Sequence, residues 1–298
     1  MKINPLITIF TPTYNRAYSL PKLYKSLCDQ SAQNFVWLVV DDGSSDNTRE
    51  LIDKWSQEGK VPIQYFYQEN QGKPAAHNLG VEKTDTELFV CVDSDDWLLP
   101  EATQKISKIW NNQKTKRNVI GILAKKGEKT ENSLSSLTHW KGNIKYSTLH
   151  EAGSNNSLTG DTMLVFKSSV IKKERFPHYQ SEKFVPEAYL YDALSKYGVL
   201  YFCDEILYMC EYQADGYTAS IHKVNAMNPH GYEAYVLQRI NLDRNSKDRI
   251  SDIVRYDSIR NILKKEKNRL KGSDLIISLL VAPIGYARFF LLYKKYLK

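Results

Sequence analysis

Residues 35–40, Phe-Val-Trp-Leu-Val-Val, form an unbroken apolar run that stops in Asp41-Asp42-Gly43-Ser44-Ser45-Asp46. A run so short and so uniformly apolar reads as a strand buried on both faces, and such strands belong to parallel sheets covered by helices on both sides. The flanking sequence has the matching rhythm. Residues 6–10 read as a first strand, the polar loop Thr11-Pro12-Thr13-Tyr14-Asn15-Arg16 follows, and residues 18–30 read as a helix with Leu20, Leu23, Tyr24 and Leu27 on one face. Ser45 or Asp46 can cap a helix running to about residue 57. A third strand at 63–67, a helix at 75–83 and a fourth strand at 87–92 come next. That strand ends in Asp93-Ser94-Asp95-Asp96, and Pro100 opens a helix to about residue 110. The alternation predicts an α/β fold: a mostly parallel sheet flanked by helices.

Past a strand at 119–124 the rhythm loosens. Residues 125–160 are rich in Ser, Asn, Gly and Lys without clear period and read as a long loop region able to cover a site. A strand at 163–166, a helix over 186–197 and a strand near 200–209 complete the core, and the signals are helical from residue 228. The expected organisation is therefore residues 1–125 and 126–227 as two halves of one domain, with 228–298 as a helical extension.

Charge is the unusual part of the composition. Lys and Arg number 41 against 34 Asp and Glu, a net +7, yet residues 260–298 alone hold ten basic and two acidic side chains, leaving 31 basic and 32 acidic in the first 259. A near-neutral body with a basic tail argues against a nucleic-acid-binding module, which spreads its charge over a binding face and carries a recognisable motif. Four cysteines (Cys28, Cys91, Cys203, Cys210) show no CxxC pair and no zinc spacing, so reduced thiols are expected. The first ten residues lack the apolar stretch of a signal peptide, which predicts a cytoplasmic chain.

Three predicted strands end in polar clusters, at 11–16, 41–46 and 93–96. In an open parallel sheet the crevice outside the carboxyl ends of the strands is where ligands bind, so these loops are expected to face one pocket. Three carboxylates within four residues repel one another unless solvated or bound to a cation. Hard oxygen ligands select magnesium or manganese, ions that bridge to substrate phosphates.

The order of Thr-Pro-Thr-Tyr-Asn-Arg (11–16), Val-Asp-Asp-Gly-Ser-Ser-Asp (40–46), Asn-Gln-Gly-Lys-Pro-Ala-Ala-His-Asn-Leu-Gly (70–80) and Asp-Ser-Asp-Asp (93–96) resembles family 2 glycosyltransferases of the GT-A fold. The match covers some 100 residues and thins after residue 125. The resemblance implies a Rossmann-like GT-A domain whose residues 1–125 bind a nucleotide sugar and whose 126–227 bind the acceptor. It places Pro12, Thr13 and Tyr14 around a uracil and ribose, Arg16 close by, and Asp42 as acceptor from the uracil imide. Lys73 and Asn78 fall where the family contacts ribose and diphosphate; His77 stands where relatives commonly have Arg. Asp93-Ser94-Asp95 matches the DxD motif: Asp95 would hold the divalent cation, manganese or magnesium, with Asp93 toward the ribose and metal and Asp96 as support.

An inverting transferase also needs a carboxylate to remove the acceptor hydroxyl proton. Relatives often carry a Glu-Asp pair at a helix start in the second half. Here Glu187 takes the first position and Ala188 the second, so Glu187 is the leading base, with Glu182 and Asp161 as alternatives. Asp215-Gly216-Tyr217-Thr218 lies where relatives close over the donor, and His222 could add a metal or diphosphate contact. The implied reaction moves a sugar from a nucleotide-sugar donor to a glycan or lipid-linked glycan acceptor, as in cell-surface polysaccharide synthesis. A metal-dependent nucleotidyltransferase is the competing class, disfavoured because no Gly-rich, basic phosphate loop stands near the N-terminus. In the tail, the uncharged run 275–287 is 13 residues, short of the roughly 20 that span a bilayer. Its basic flanks suggest either an anionic membrane surface, on the inner face of the cell membrane, or a subunit contact in a homo-oligomer.

Overall fold

A computed structural model describes residues 5–116, 118–129, 133–154, 157–211, 220–242, 246–264 and 267–297. The elements run β1 (Ile7–Thr13), α1 (Leu20–Cys28), β2 (Phe35–Asp41), α2 (Thr48–Glu58), β3 (Ile63–Tyr67), α3 (Lys73–Lys83), β4 (Leu88–Cys91), β5 (Trp97–Leu98) and α4 (Ala102–Gln113). Next come β6 (Val119–Lys129), β7 (Leu134–Ser136), β8 (Thr138–Trp140), β9 (Tyr146–Ser147), α5 (Leu149–Ser154), β10 (Leu158–Gly160), β11 (Thr162–Lys167) and α6 (Ser168–Ile171). The remainder is α7 (Ala188–Ala193), a 3-10 turn (Leu194–Tyr197), β12 (Val199–Met209), α8 (Ile221–Met227), α9 (Pro229–Asn241), α10 (Ser246–Leu263) and α11 (Gly272–Leu292).

The main sheet has the order β3-β2-β1-β4-β11-β6-β12-β5. Its first four strands pair in parallel, with Thr13 of β1 beside Asp41 of β2 and Phe10 of β1 beside Cys91 of β4. Every residue of β1 and β2 is buried, as an apolar run covered on both faces requires. The predicted face of α1 is the one that packs: Leu20, Leu23, Tyr24 and Leu27 are all buried. Tyr24 and Trp55 stack with centroids 4.3 Å apart, joining α1 to α2 beside β2. Past β4 the sheet becomes mixed, because β11 enters antiparallel between β4 and β6 while β12 runs parallel to β6.

The region expected as a long loop, 125–160, is instead largely ordered into elements. β6 continues through residue 125 to Lys129, and β7 to β10 with α5 follow. Strands of two or three residues are too short to show a period of two, which is why the sequence hides them. The helix expected over 186–197 is shorter, α7 followed by the 3-10 turn.

Two compact units divide the chain. One comprises Met1–Arg175 with Leu190–Gln213, the other Phe176–Tyr189 with Ala214–Lys298. The first holds the sheet. The second has its own core, built by Tyr232, Val236 and Ile240 of α9, Ile253, Tyr256 and Ile259 of α10, and Tyr293. Its last helix is longer than the uncharged run that marks it: α11 continues through Pro283 and Gly285 for 21 residues, long and apolar enough to cross a membrane and mostly exposed.

Candidate active site

The loops after β1 and β2 are fastened to each other by short-range bonds. Asn15, in the left-handed region at φ 52°, accepts from the Ser45 N–H through Oδ1 at 2.8 Å, and its own N–H donates to Ser44 Oγ at 2.9 Å. The Ala17 N–H donates to Asp46 Oδ2 at 2.9 Å, while Asp46 Oδ1 accepts from Thr48 at the start of α2. The N-cap of α2 is Asn47, without a side-chain cap bond, rather than the expected Ser45 or Asp46; Asp46, one residue earlier, instead ties the start of α2 to the loop after β1. Gly43 is required between these contacts. Its φ is +84°, and a Cβ there would lie 2.8 Å from the backbone nitrogen of Asn70.

Asp41 and Asp42 are both buried at the end of β2. Asp41 accepts from the Ser44 N–H at 2.8 Å and from the Tyr65 hydroxyl at 2.8 Å. Asp42 organises the loop before α3: Oδ1 accepts from Gln68 Nε2 (2.7 Å) and the Gln71 N–H (2.9 Å), and Oδ2 from the Gly72 N–H (2.8 Å). Three donors leave about one lone-pair site of an ionised carboxylate for a further partner. Gly72, at φ 92°, is the residue that lets the chain turn from this carboxylate into α3.

At the end of β4, Lys73 Nζ lies 2.6 Å from Asp93 Oδ1. The Asp93 N–H donates to the Tyr208 hydroxyl at 3.0 Å, and that hydroxyl donates to Asp96 Oδ2 at 2.6 Å. Lys126 sits 4.1 Å over the Tyr208 ring and 4.0 Å from Asp96 Oδ2. The electrostatics sort the three carboxyls. Burial works against ionisation of Asp93, but Lys73 and Lys126 outweigh it and hold its carboxyl below the usual range. Asp95 is raised, first by burial and then by the charge of Asp93, with Arg16 and Lys73 pulling the other way. Asp96 is pushed up to about 6 by burial and by Asp93.

His77 is packed inward. Its ring meets Phe10 and Phe89 edge-on at 5.5 and 5.4 Å, and Nε2 lies 3.4 Å from the Tyr191 hydroxyl. Burial, then the charge of Lys73, lowers its pKa to about 3, so the ring is neutral at pH 7.

Of the residues expected to form the donor site, Pro12, Thr13, Tyr14, Arg16, Asp42, Lys73, Asn78, Asp93, Asp95 and Asp96 all lie in the sheet unit, at the end of β1, on the loops after β1, β2 and β4, or in the first two turns of α3. Pro12 and Thr13 are buried and Tyr14 is half exposed. Arg16 reaches the Tyr18 hydroxyl. Asn78 is partly buried on the second turn of α3. Asp161 is exposed just before β11, its carbonyl accepting from Thr138.

Glu182, Glu187 and His222 belong to the other unit. Glu182 is buried and accepts from the His230 N–H (2.8 Å), His230 Nδ1 (2.7 Å) and the Gly231 N–H (2.7 Å) at the start of α9. Glu187 is exposed and immediately precedes α7. His222 packs against Tyr293 at 5.9 Å. The segment Asp215 to Thr218 lies outside the described residues. Sequence reasoning missed Gln68, Lys126 and Tyr208. Only Gln68 left a signal, two residues upstream of the Asn70 motif.

Among the described residues no three His, Cys, Asp or Glu side chains gather to enclose a metal unaided. The donor set fits a different kind of site. A hard cation held by one or two carboxylates completes its shell on substrate phosphates and water, and Asp95, raised by burial and then by the neighbouring Asp93 charge, is a carboxyl whose ionisation a cation would favour.

A sheet whose parallel strand ends carry these carboxylates puts a polar cluster where open α/β sheets bind ligands, and comparison with known proteins narrows the class. The profile of Glycosyl transferase family 2 matches residues 8–175, and the chain belongs to that family. An uncharacterised glycosyltransferase of Haemophilus influenzae is 32% identical over 199 residues, 66% of this chain and 76% of its own. The GalNAc(5)-diNAcBac-PP-undecaprenol beta-1,3-glucosyltransferase of Campylobacter jejuni is 28% identical over 58% of this chain and 55% of its own length. With an uncharacterised Rickettsia bellii glycosyltransferase the shared segment is only 13% of the relative. Most of the curated relatives are thus matched over less than two thirds of their length. Among solved structures, Staphylococcus aureus TarS 1-349 in complex with UDP-GlcNAc aligns with TM-score 0.61 at 14% identity, over 98% of this chain and 82% of that one. A Pyrobaculum calidifontis mannosyltransferase in complex with GDP-Man and Mn2+ aligns with TM-score 0.58 at 13% identity, over 99% and 83%. The fold is GT-A, with a helical C-terminal region.

Proposed function

We propose that this glycosyltransferase moves a sugar from a UDP-linked donor to a glycan acceptor, with inversion at the anomeric carbon, using a divalent cation held by Asp95 and Asp93. The observation that carries this reading is the grouping of Asp93, Asp95 and Asp96 with Lys73 and Lys126 at the end of β4, in which one carboxyl is held ionised and two are raised. Manganese or magnesium would supply charge neutralisation on the departing diphosphate. Lys73, which lies 2.6 Å from Asp93 Oδ1, passes to a phosphate oxygen in this reading as the donor enters. Pro12, Thr13 and Tyr14 border the base and ribose, and the remaining lone pair of Asp42 accepts the uracil imide N–H. A base presenting an acceptor there would be rejected by the carboxylate, which is the source of uracil selectivity. The UDP-GlcNAc held by TarS and the GDP-Man with Mn2+ held by the mannosyltransferase are in keeping with such a donor site.

Glu187, exposed at a helix start, serves as base for the acceptor hydroxyl. Glu182 is already saturated by three donors, which favours Glu187 over it. The undecaprenol-linked glycan in the name of the Campylobacter enzyme supports a lipid-linked glycan as acceptor, in cell-surface polysaccharide synthesis.

Replacement of Asp95 by Ala tests the reading. Transfer or donor hydrolysis is expected to fall on the order of a hundredfold or more while the protein stays folded. Full turnover by folded Asp95→Ala protein would refute it.

A further inference from the structure

Helix α11 wears its polarity the wrong way round for water. Its inner face carries Asp274, Ser278 and Gly285, all buried, while Ile276, Leu279, Leu280, Ile284, Phe290 and Leu291 are each more than half exposed. These six fall at helical spacing along one stripe. A surface helix of a globular protein turns its apolar stripe to the core, and a contiguous apolar patch left outside marks an interaction surface.

The charges around the stripe indicate what covers it. Lys264, Lys267 and Lys271 are exposed just before α11, Lys294 and Lys295 just after it, and residues 275–287 contain no charge. Lys294 Nζ lies 4.2 Å over the Phe290 ring, so the apolar end of the stripe and the cation adjoin. An apolar stripe with cations at both ends complements acyl chains bordered by anionic headgroups. A second copy of the chain fits less well: with both ends basic, stripe-to-stripe pairing sets cation against cation in either direction.

The inner face decides between lying on a bilayer and crossing it. Twenty-one residues rise about 31 Å, enough to span. However, Asp274 accepts two bonds from Arg249 of α10 at 2.8 and 2.7 Å, and Ser278 donates to Asp257 of α10 at 2.7 Å. A Cβ on Gly285 would lie 2.6 Å from the Asp257 Cβ, so the two helices are in close contact there. Crossing would carry the charged side of α10 into hydrocarbon or tear these contacts apart. We propose that α11 lies in the plane of an anionic membrane surface, its outward stripe inserted to the headgroup–acyl boundary, and does not span the bilayer.

The test uses the full chain and reads lipid binding alone, so its failure would leave the transferase reading untouched. Wild-type protein is floated with vesicles of phosphatidylcholine and phosphatidylglycerol, and with phosphatidylcholine alone, beside Leu280→Glu/Leu291→Glu and Lys294→Glu/Lys295→Glu variants. Wild type is expected to float with the anionic vesicles and to be released by alkaline carbonate. Each double variant should lose about tenfold in the bound fraction with an unchanged melting temperature. Four results would overturn the proposal: no flotation of wild type with anionic vesicles, equal flotation of Leu280→Glu/Leu291→Glu, resistance to carbonate, or a lipid-indifferent dimer that the leucine variant converts to monomer.

Discussion

Replacing Asp42 by Asn would turn an amide NH2 toward donors that now share two carboxylate oxygens: Gln68 Nε2 and the N–H groups of Gln71 and Gly72. At least one buried backbone N–H would lose its acceptor, at a cost of about 1–3 kcal/mol. Urea denaturation of Asp42→Asn should show that loss together with weaker nucleotide binding; an unchanged midpoint would mean that the loop does not depend on this carboxylate. His77 supplies a pH test. The folded state holds it near 3, against an ordinary 6.5, through burial and the Lys73 charge, so the unfolded chain takes up the proton first. Its contribution is fully present above about pH 6.5 and is lost as pH falls toward 3, on the order of 4 kcal/mol across that window. His77→Phe, still flanked by Phe10 and Phe89, should therefore show a flatter fall in unfolding free energy over that range than wild type. Equal slopes would place the acid sensitivity elsewhere. Single residues were unevenly legible: Asp42, Asp93 and Asp95 stand in motifs at strand ends, whereas Lys126 and Tyr208 reach the adjoining Asp96 carboxylate from β6 and β12, and no spacing in the sequence announces a contact made across a sheet.

Among the elements, α9 and α7 give opposite meanings to two glutamates five residues apart. Glu182 holds the start of α9 through three bonds. Glu182→Gln should lower stability by about 1–3 kcal/mol and leave kcat near wild type at saturating donor. Glu187→Gln should do the reverse, reducing kcat most among Glu187→Gln, Glu182→Gln and Asp161→Asn with donor affinity kept. A larger kcat loss in Asp161→Asn would move the base there. Elements built on long apolar runs, β1, β2 and α1, were readable because burial on one or two faces leaves a period in the sequence. The short strands from β7 to β10 were not, and α11 was underestimated because Asp274 and Arg288 bound the uncharged run although the helix passes both.

At the scale of the whole molecule, the two compact units have different chemistry. The sheet unit carries the strand-end carboxylates, and the basic excess of residues 260–298 lies in the helical unit. The alternation that made the α/β class readable came from the first four parallel strands. In the mixed half the strands at 119–124, 163–166 and 200–209 were legible as β6, β11 and β12, but their pairing was not, because β11 is inserted antiparallel and out of sequence order between β4 and β6. The assignment of a cation-bridged UDP-sugar to the end of β4 is the central claim, and calorimetric titration of wild type and Asp95→Ala protein with UDP-sugars, in manganese and after chelation, tests it directly. Wild type should bind at least one UDP-sugar and lose about tenfold or more in affinity when the cation is removed, with Asp95→Ala equally weak in both conditions. Binding by wild type that ignores chelation, or a manganese dependence that survives in Asp95→Ala, would contradict it.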